Sequence, residues 1–147
     1  GYQSGGLSLF NYFPPEARRR ALESLARVGI LDKAYDRADG LSGGQQQRVG
    51  IARALMQKPR LMLADEPVAS LDPATSHSVV QYLEHMNQQE GLTVICALHF
   101  LSLARRYATR IVALKAGELV FDGVPAAIDD AAFKRIYGED AMEVEIR

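Results

Sequence analysis

Leu41-Ser42-Gly43-Gly44-Gln45 and, one helix length further on, Leu61-Met62-Leu63-Ala64-Asp65-Glu66-Pro67 decide how this chain is read. A serine and two glycines leading into a helical pattern present backbone N–H groups to an anion, with the positive end of a helix dipole behind them. Ser42 caps that helix, and Gln45 falls at the reciprocating position of a capping box. The second stretch is four apolar residues running into two carboxylates. It reads as a strand buried on both faces of a parallel sheet, with its acids at the carboxyl end, where open α/β sheets hold ligands.

The pattern continues outward from both stretches. Val49, Ala52, Leu55 and Met56 form one helical stripe, with Gln46, Arg48 and Arg53 directed elsewhere, and Lys58-Pro59 ends the helix. Asp72-Pro73 starts another helix carrying Val79, Val80, Leu83 and Met86, which Gly91 stops. Leu92 to Ala97 is a strand, Leu101 to Tyr107 a helix and Arg110 to Leu114 a third strand. Lys115-Ala116-Gly117-Glu118 then turns the chain into Leu119-Val120-Phe121 as a hairpin partner. Alternation from Arg60 to Leu114 predicts an α/β fold whose strands form one parallel layer with helical crossovers.

Upstream, Pro14-Pro15 opens a helix with Ala17, Ala21, Leu22, Leu25 and Val28 inward, ended by Gly29. A second short helix follows Leu31-Asp32, before the turn Ala38-Asp39-Gly40. Gly1 to Asn11 is rich in Gly and Ser, with scattered Tyr2, Leu7, Leu9 and Phe10, and reads as a segment separated from its packing partner. A helix from about Ala126 to Tyr137 and a polar tail from Glu139 to Arg147 complete the chain.

With 147 residues, 48% of them apolar, the chain can build a real core. A net charge of -1 argues against nucleic acid as the main partner, and Arg18-Arg19-Arg20, interleaved with Glu16 and Glu23, reads as a solvated helix face. The single cysteine, Cys96, falls in an apolar strand pattern as a buried thiol, which suits a reducing compartment. No run approaches the roughly 18 to 20 apolar residues that cross a bilayer, so a membrane role is expected to be peripheral.

Neighbouring positions on an extended strand point to different sides, so Asp65 and Glu66 are assigned separate tasks. Asp65 would hold magnesium through water, and Glu66 would orient or deprotonate an attacking water. The plain alternative is an acidic strand end that Pro67 terminates. His99, after the Cys96 strand, is placed to touch a γ-phosphoryl group or hold the water, the alternative being an ordinary loop histidine. His77 and His85, eight apart on one helix with no nearby cysteine or paired acid, do not suggest a transition-metal site. No stretch reads Gly-x-x-x-x-Gly-Lys-Ser/Thr, the loop that cradles nucleotide phosphates.

In order and spacing, Leu-Ser-Gly-Gly-Gln-Gln-Gln-Arg-Val at 41 to 49, the strand with Asp65-Glu66, Ser70-Leu71-Asp72 and His99 resemble the ATP-binding-cassette ATPases, the engines of membrane transporters. The resemblance spans essentially the whole chain as the later portion of such a domain. It implies a P-loop NTPase-like partial parallel sheet with flanking helices, with the Walker A portion absent. Residues 1–40 would be a remnant of the helical subdomain, and 41–147 the C-terminal part of the ATPase domain. Ser42, Gly43, Gly44 and Gln45 would contact ATP held by an opposing subunit, Asp72 would lie at the dimer interface by the nucleotide, Asp65 would serve magnesium, and Glu66 and His99 would be catalytic.

Within the family, Gln-Gln-Gln-Arg-Val, Pro-Val-Ala-Ser-Leu-Asp-Pro, Leu-Ala-Arg-Arg-Tyr and Phe-Asp-Gly look most like the phosphonate importers, with a phosphate or other small-solute importer as the alternative. The implied partners are transmembrane permease subunits and a second ATPase subunit, at the cytoplasmic face of the cell membrane. The family's adenine-stacking aromatic, its phosphate-loop lysine and its glutamine loop have no counterpart here. This piece alone is therefore expected to be inactive and to self-associate through its sheet. The competing class is a non-catalytic interaction module.

Overall fold

In the computed structural model, which describes residues 13–139, Pro15 opens helix α1 (Pro15–Arg27), where its fixed φ suits the first turn and its missing N–H has no partner to lose. The Gly/Ser-rich stretch at the start and most of the polar tail lie outside the described residues. Gly29, at φ +67°, ends the helix in the left-handed conformation that glycine adopts without a Cβ penalty. Arg19 bridges Glu16 and Glu23 on the exposed side, as the charge pattern requires. In place of a short helix after Leu31-Asp32 there is a single 3₁₀ turn, Leu31–Lys33, that includes those two residues, and Ala38–Gly40 is a second.

The described residues divide into two compact units at Cys96/Ala97. In the first, α1 is followed by α2 (Gly43–Leu55), β1 (Leu61–Asp65), α3 (Pro73–Glu90) and β2 (Thr93–Ala97). Asp72 caps α3 by accepting from the Thr75 N–H at 3.0 Å, and Gly91, at φ +66°, closes it. The inner stripe of α3 is buried as its spacing predicts, with Val79 and Met86 fully enclosed alongside Val28 from the end of α1.

β1 and β2 are neighbours in a small parallel sheet, joined through α3. Burial on both faces is not what β1 shows. Met62 is buried, but Leu61 is 48% exposed and Leu63 73%, and Ile95 on β2 is 59% exposed. Among the described residues the helices of this unit cover only one side of the two-stranded sheet, so alternate residues face out.

The second unit holds α4 (Leu101–Tyr107), β3 (Ile111–Lys115), β4 (Glu118–Gly123) and α5 (Asp130–Tyr137). β3 does not extend the parallel layer. Among the described residues it pairs only with β4, antiparallel, from Ile111↔Gly123 to Lys115↔Glu118, with an irregularity at Ala113/Leu114. The connecting residues Ala116 and Gly117 both have positive φ, the primed geometry that suits the strand twist of a hairpin. Leu101, Ile128 and Ala132 form the core here, with Phe121 and Phe133 packed on it. The last helix begins later than its pattern suggests. Pro125–Ala127 is a 3₁₀ turn, and Asp129 caps the helix by accepting from the Ala132 N–H at 2.7 Å.

Candidate functional site

Ser42 and Gln45 cap the start of α2 reciprocally. Ser42 Oγ accepts from the Gln45 N–H at 3.4 Å, and Gln45 Oε1 accepts from the Ser42 N–H at 2.9 Å. This box consumes the Ser42 amide and the Gln45 side-chain carbonyl. The Ser42 O–H and the first-turn N–H groups of Gly43 and Gly44, which helix geometry leaves without intrahelical acceptors, remain to serve an anion. Ser42 and Gly43 are exposed; Gly44 is buried.

The two glycines have a packing role that the sequence does not reveal. A Cβ on Gly43 would lie 3.2 Å from Leu71 Cδ2, and one on Gly44 would run into Thr75 Cγ2. The start of α2 therefore lies directly against the segment that ends in the Asp72 cap and opens α3. Two motifs about thirty residues apart, Ser42–Gln45 and Leu71–Asp72, are brought together, with two helix N-termini side by side. Asp72 is exposed, and its hydrogen bonds from the Thr75 side chain and amide hold its carboxyl below the usual range.

Asp65 is the last residue of β1 and is exposed. Glu66 lies beyond the strand at φ +44°, so it follows Asp65 in a left-handed turn and strand alternation does not apply to the pair. Ser70 is a second left-handed residue, at φ +65°. Non-glycine residues there cost roughly 1 kcal/mol or more each, and such strain clusters at functional sites. Two successive turns, Ala69 N–H to Glu66 C=O at 3.0 Å and Leu71 N–H to Val68 C=O at 3.2 Å, hold the segment, while Pro67 and Val68 are buried beneath it. Glu66 is thereby presented on an exposed, hydrogen-bonded turn.

His99 belongs to the second unit, exposed in the irregular stretch before α4, where its carbonyl accepts from the Tyr137 hydroxyl at 3.3 Å. Cys96 is half-buried on β2, and burial pushes its thiol up to about 11. Arg48 was missed by the sequence pattern. Its guanidinium turns inward, donating to Ser78 Oγ at 2.7 Å and lying 4.8 Å from the Tyr82 ring centroid. Among the described residues, no three His, Cys, Asp or Glu side chains converge as a metal cage, and no helix is long and apolar enough to cross a membrane.

A family model described as ABC transporter matches residues 3–69. Over 137 residues the chain is 62% identical to the phosphonates import ATP-binding protein PhnC of Bdellovibrio bacteriovorus, covering 93% of this chain and 52% of that protein. The protein of the same name from Staphylococcus saprophyticus is 52% identical over 145 residues, covering 99% of this chain and 56% of its own. The chain thus spans about half the length of the curated relatives it matches. Among solved structures, a dimeric ATP-binding cassette in a post-hydrolysis state bound to ADP and Pi is 38% identical, with a TM-score of 0.65 over 80% of this chain and 52% of its own. An ATP-binding cassette of an ABC transporter in its ADP conformation superposes with a TM-score of 0.78 over 93% of this chain and 57% of its own; at 24% identity it speaks for the fold alone.

Proposed function

We propose that this chain belongs to the ABC transporter ATPases and is part of the ATP-hydrolysing subunit of an importer, with phosphonates as the solute. Residues 1–40 belong to the helical subdomain and 41–147 to the C-terminal part of the ATPase domain. The reading rests above all on the capped Ser42-Gly43-Gly44 turn packed against the Asp72-capped start of α3. The name shared by relatives 62% and 52% identical supports the solute class.

In the working assembly, the Ser42 hydroxyl and the Gly43 and Gly44 amides donate to the γ-phosphoryl oxygens of ATP held by a second ATPase subunit. Glu66 accepts the proton of the attacking water at a carboxylate oxygen, and the His99 imidazole donates toward the terminal phosphate. Asp72 orders the subunit interface. Magnesium suits the donor set, since it needs only one or two carboxylates plus phosphate and water oxygens, and Asp65 is an exposed oxygen donor at a strand end. When bound, the ion neutralises charge developing on the phosphates. Permease subunits receive the stroke, and the complex works at the inner face of the cell membrane.

The test is a chimera. The part of the Bdellovibrio protein that this chain does not match, joined to these 147 residues, is expected to hydrolyse ATP and to lose at least about a hundredfold in rate with Glu66→Gln. A chimera that folds and binds ATP yet turns over equally with Gln at 66 would remove Glu66 from the mechanism.

A second reading, that the isolated chain acts as a self-associating module, is favoured by the exposed Leu61, Leu63 and Ile95 on one sheet face. Light scattering decides it: a strictly monomeric, cooperatively melting chain contradicts it.

A further inference from the structure

Arg48 lies one turn inside α2 from Gly44, and its side chain crosses to α3. There Nη2 donates to Ser78 Oγ at 2.7 Å, and the guanidinium carbon lies 4.8 Å from the Tyr82 ring centroid, a residue one turn further along the same helix. The hydroxyl end of Tyr82 lies against the end of α1, because a Cβ on Gly29 would run into the Tyr82 hydroxyl. One cation therefore engages α2 and α3 directly and reaches α1 through a ring.

Gly44 against Thr75 and Arg48 against Ser78 and Tyr82 advance in the same direction along both helices. Two contacts a turn apart fix the axial register of the two helices. A slip of one residue would carry Ser42 about 1.5 Å past Asp72.

Stability alone does not account for an arginine here. Its Nε–H is buried and, among the described residues, meets no acceptor, and an orphan buried donor is a poor choice where an apolar chain of similar length would pack. Buried polar groups of this kind are used to specify one register over others.

We infer that Arg48 is a positioning residue that holds the Ser42–Gln45 turn in register with Leu71–Asp72, and that Tyr82 and Gly29 make this register sensitive to where α1 ends. The functional weight of the inference rests on the nucleotide reading above, but the register can be read without nucleotide.

In this chain, Arg48→Met is expected to melt no lower than the parent. Its amide resonances at Ser42–Gln45 and Asp72–Thr75 should shift and exchange about tenfold faster or more, while those of β1 and the interior of α1 keep their protection. Arg48→Lys, which keeps the charge near Tyr82 but loses the Nη2–H bond to Ser78 Oγ, should show the same local pattern more weakly. Uniform acceleration across the first unit, with a lowered melting point, would make Arg48 a structural support only and overturn the inference. So would unchanged amides at both turns, or failure of both variants to fold. None of these outcomes bears on the ATPase of the chimera, so the two readings fail separately.

Discussion

Replacing Gly44 by alanine separates two roles of the Ser-Gly-Gly turn, anion approach and helix packing. Position 44 has ordinary helical backbone, so propensity favours alanine by up to about 1 kcal/mol. Packing opposes it, because the new methyl would occupy the place of Thr75 Cγ2, and overpacking of this kind costs about 1–3 kcal/mol. Thr75 is β-branched and its amide is tied to the Asp72 carboxylate at 3.0 Å, so it has little room to turn away. The net expectation is a loss of about 1–2 kcal/mol for Gly44→Ala. Thr75→Ser deletes only the offending methyl, and in that background Gly44→Ala should be neutral or mildly stabilising, a coupling of about 1–3 kcal/mol. Urea titration followed by far-UV circular dichroism measures all four corners of the cycle. The reasoning fails if Gly44→Ala is as stable as the parent, or if serine at 75 does not restore it.

Asp72 should give the chain an acid-sensitive step. Its carboxyl is held below the usual 3.8 in the folded state, so its stabilising contribution is complete above that value and is lost as pH falls through the depressed one. Asp72→Asn caps without titrating, and the difference in urea midpoint between the two proteins should narrow in acid; parallel curves would contradict the assignment. Ala116, at φ +51° in the hairpin turn, should accept asparagine with a gain of about 0.5–1 kcal/mol, seen as a raised melting temperature. Cys96, with its thiol pushed from 9.0 to about 11, should carry about a hundredfold less thiolate at neutral pH than an ordinary cysteine and alkylate correspondingly slowly, with rapid modification by iodoacetamide as the contrary result.

Features governed by neighbouring residues were legible in the sequence. The Ser42/Gln45 box, the Asp72 cap, the glycine stops at 29 and 91 and the α4 limits each depend on chemistry within a turn or two, and the structure shows them as read. Contacts distant in sequence were not legible. An apolar run such as Leu61 to Ala64 states what a strand can bury, not what covers it, so the exposure of Leu61 and Leu63 could not be foreseen. Strand–helix alternation wrongly placed β3 in the parallel layer, whereas the Lys115–Glu118 turn, a signal local in sequence, correctly read β3 and β4 as a hairpin.

At the candidate site, residue types and their order were readable, but their mutual fit was not. Gly44 reads as room for a phosphate until Thr75 is seen beneath it, and Arg48 reads as a surface cation until Ser78 and Tyr82 are seen around it. Glu66 has a left-handed backbone just before the buried Pro67-Val68, a conformation that no propensity of glutamate would suggest.

The central claim is that these carboxylates and this serine-led helix end complete a nucleotide site whose phosphate cradle comes from elsewhere. Calorimetric titration of magnesium-ATP into the 147-residue chain tests it most directly. The account predicts no saturation below about 1 mM, because without a lysine-bearing loop the phosphates lack most of their donors. Stoichiometric binding at micromolar concentration by the monomeric chain would contradict it.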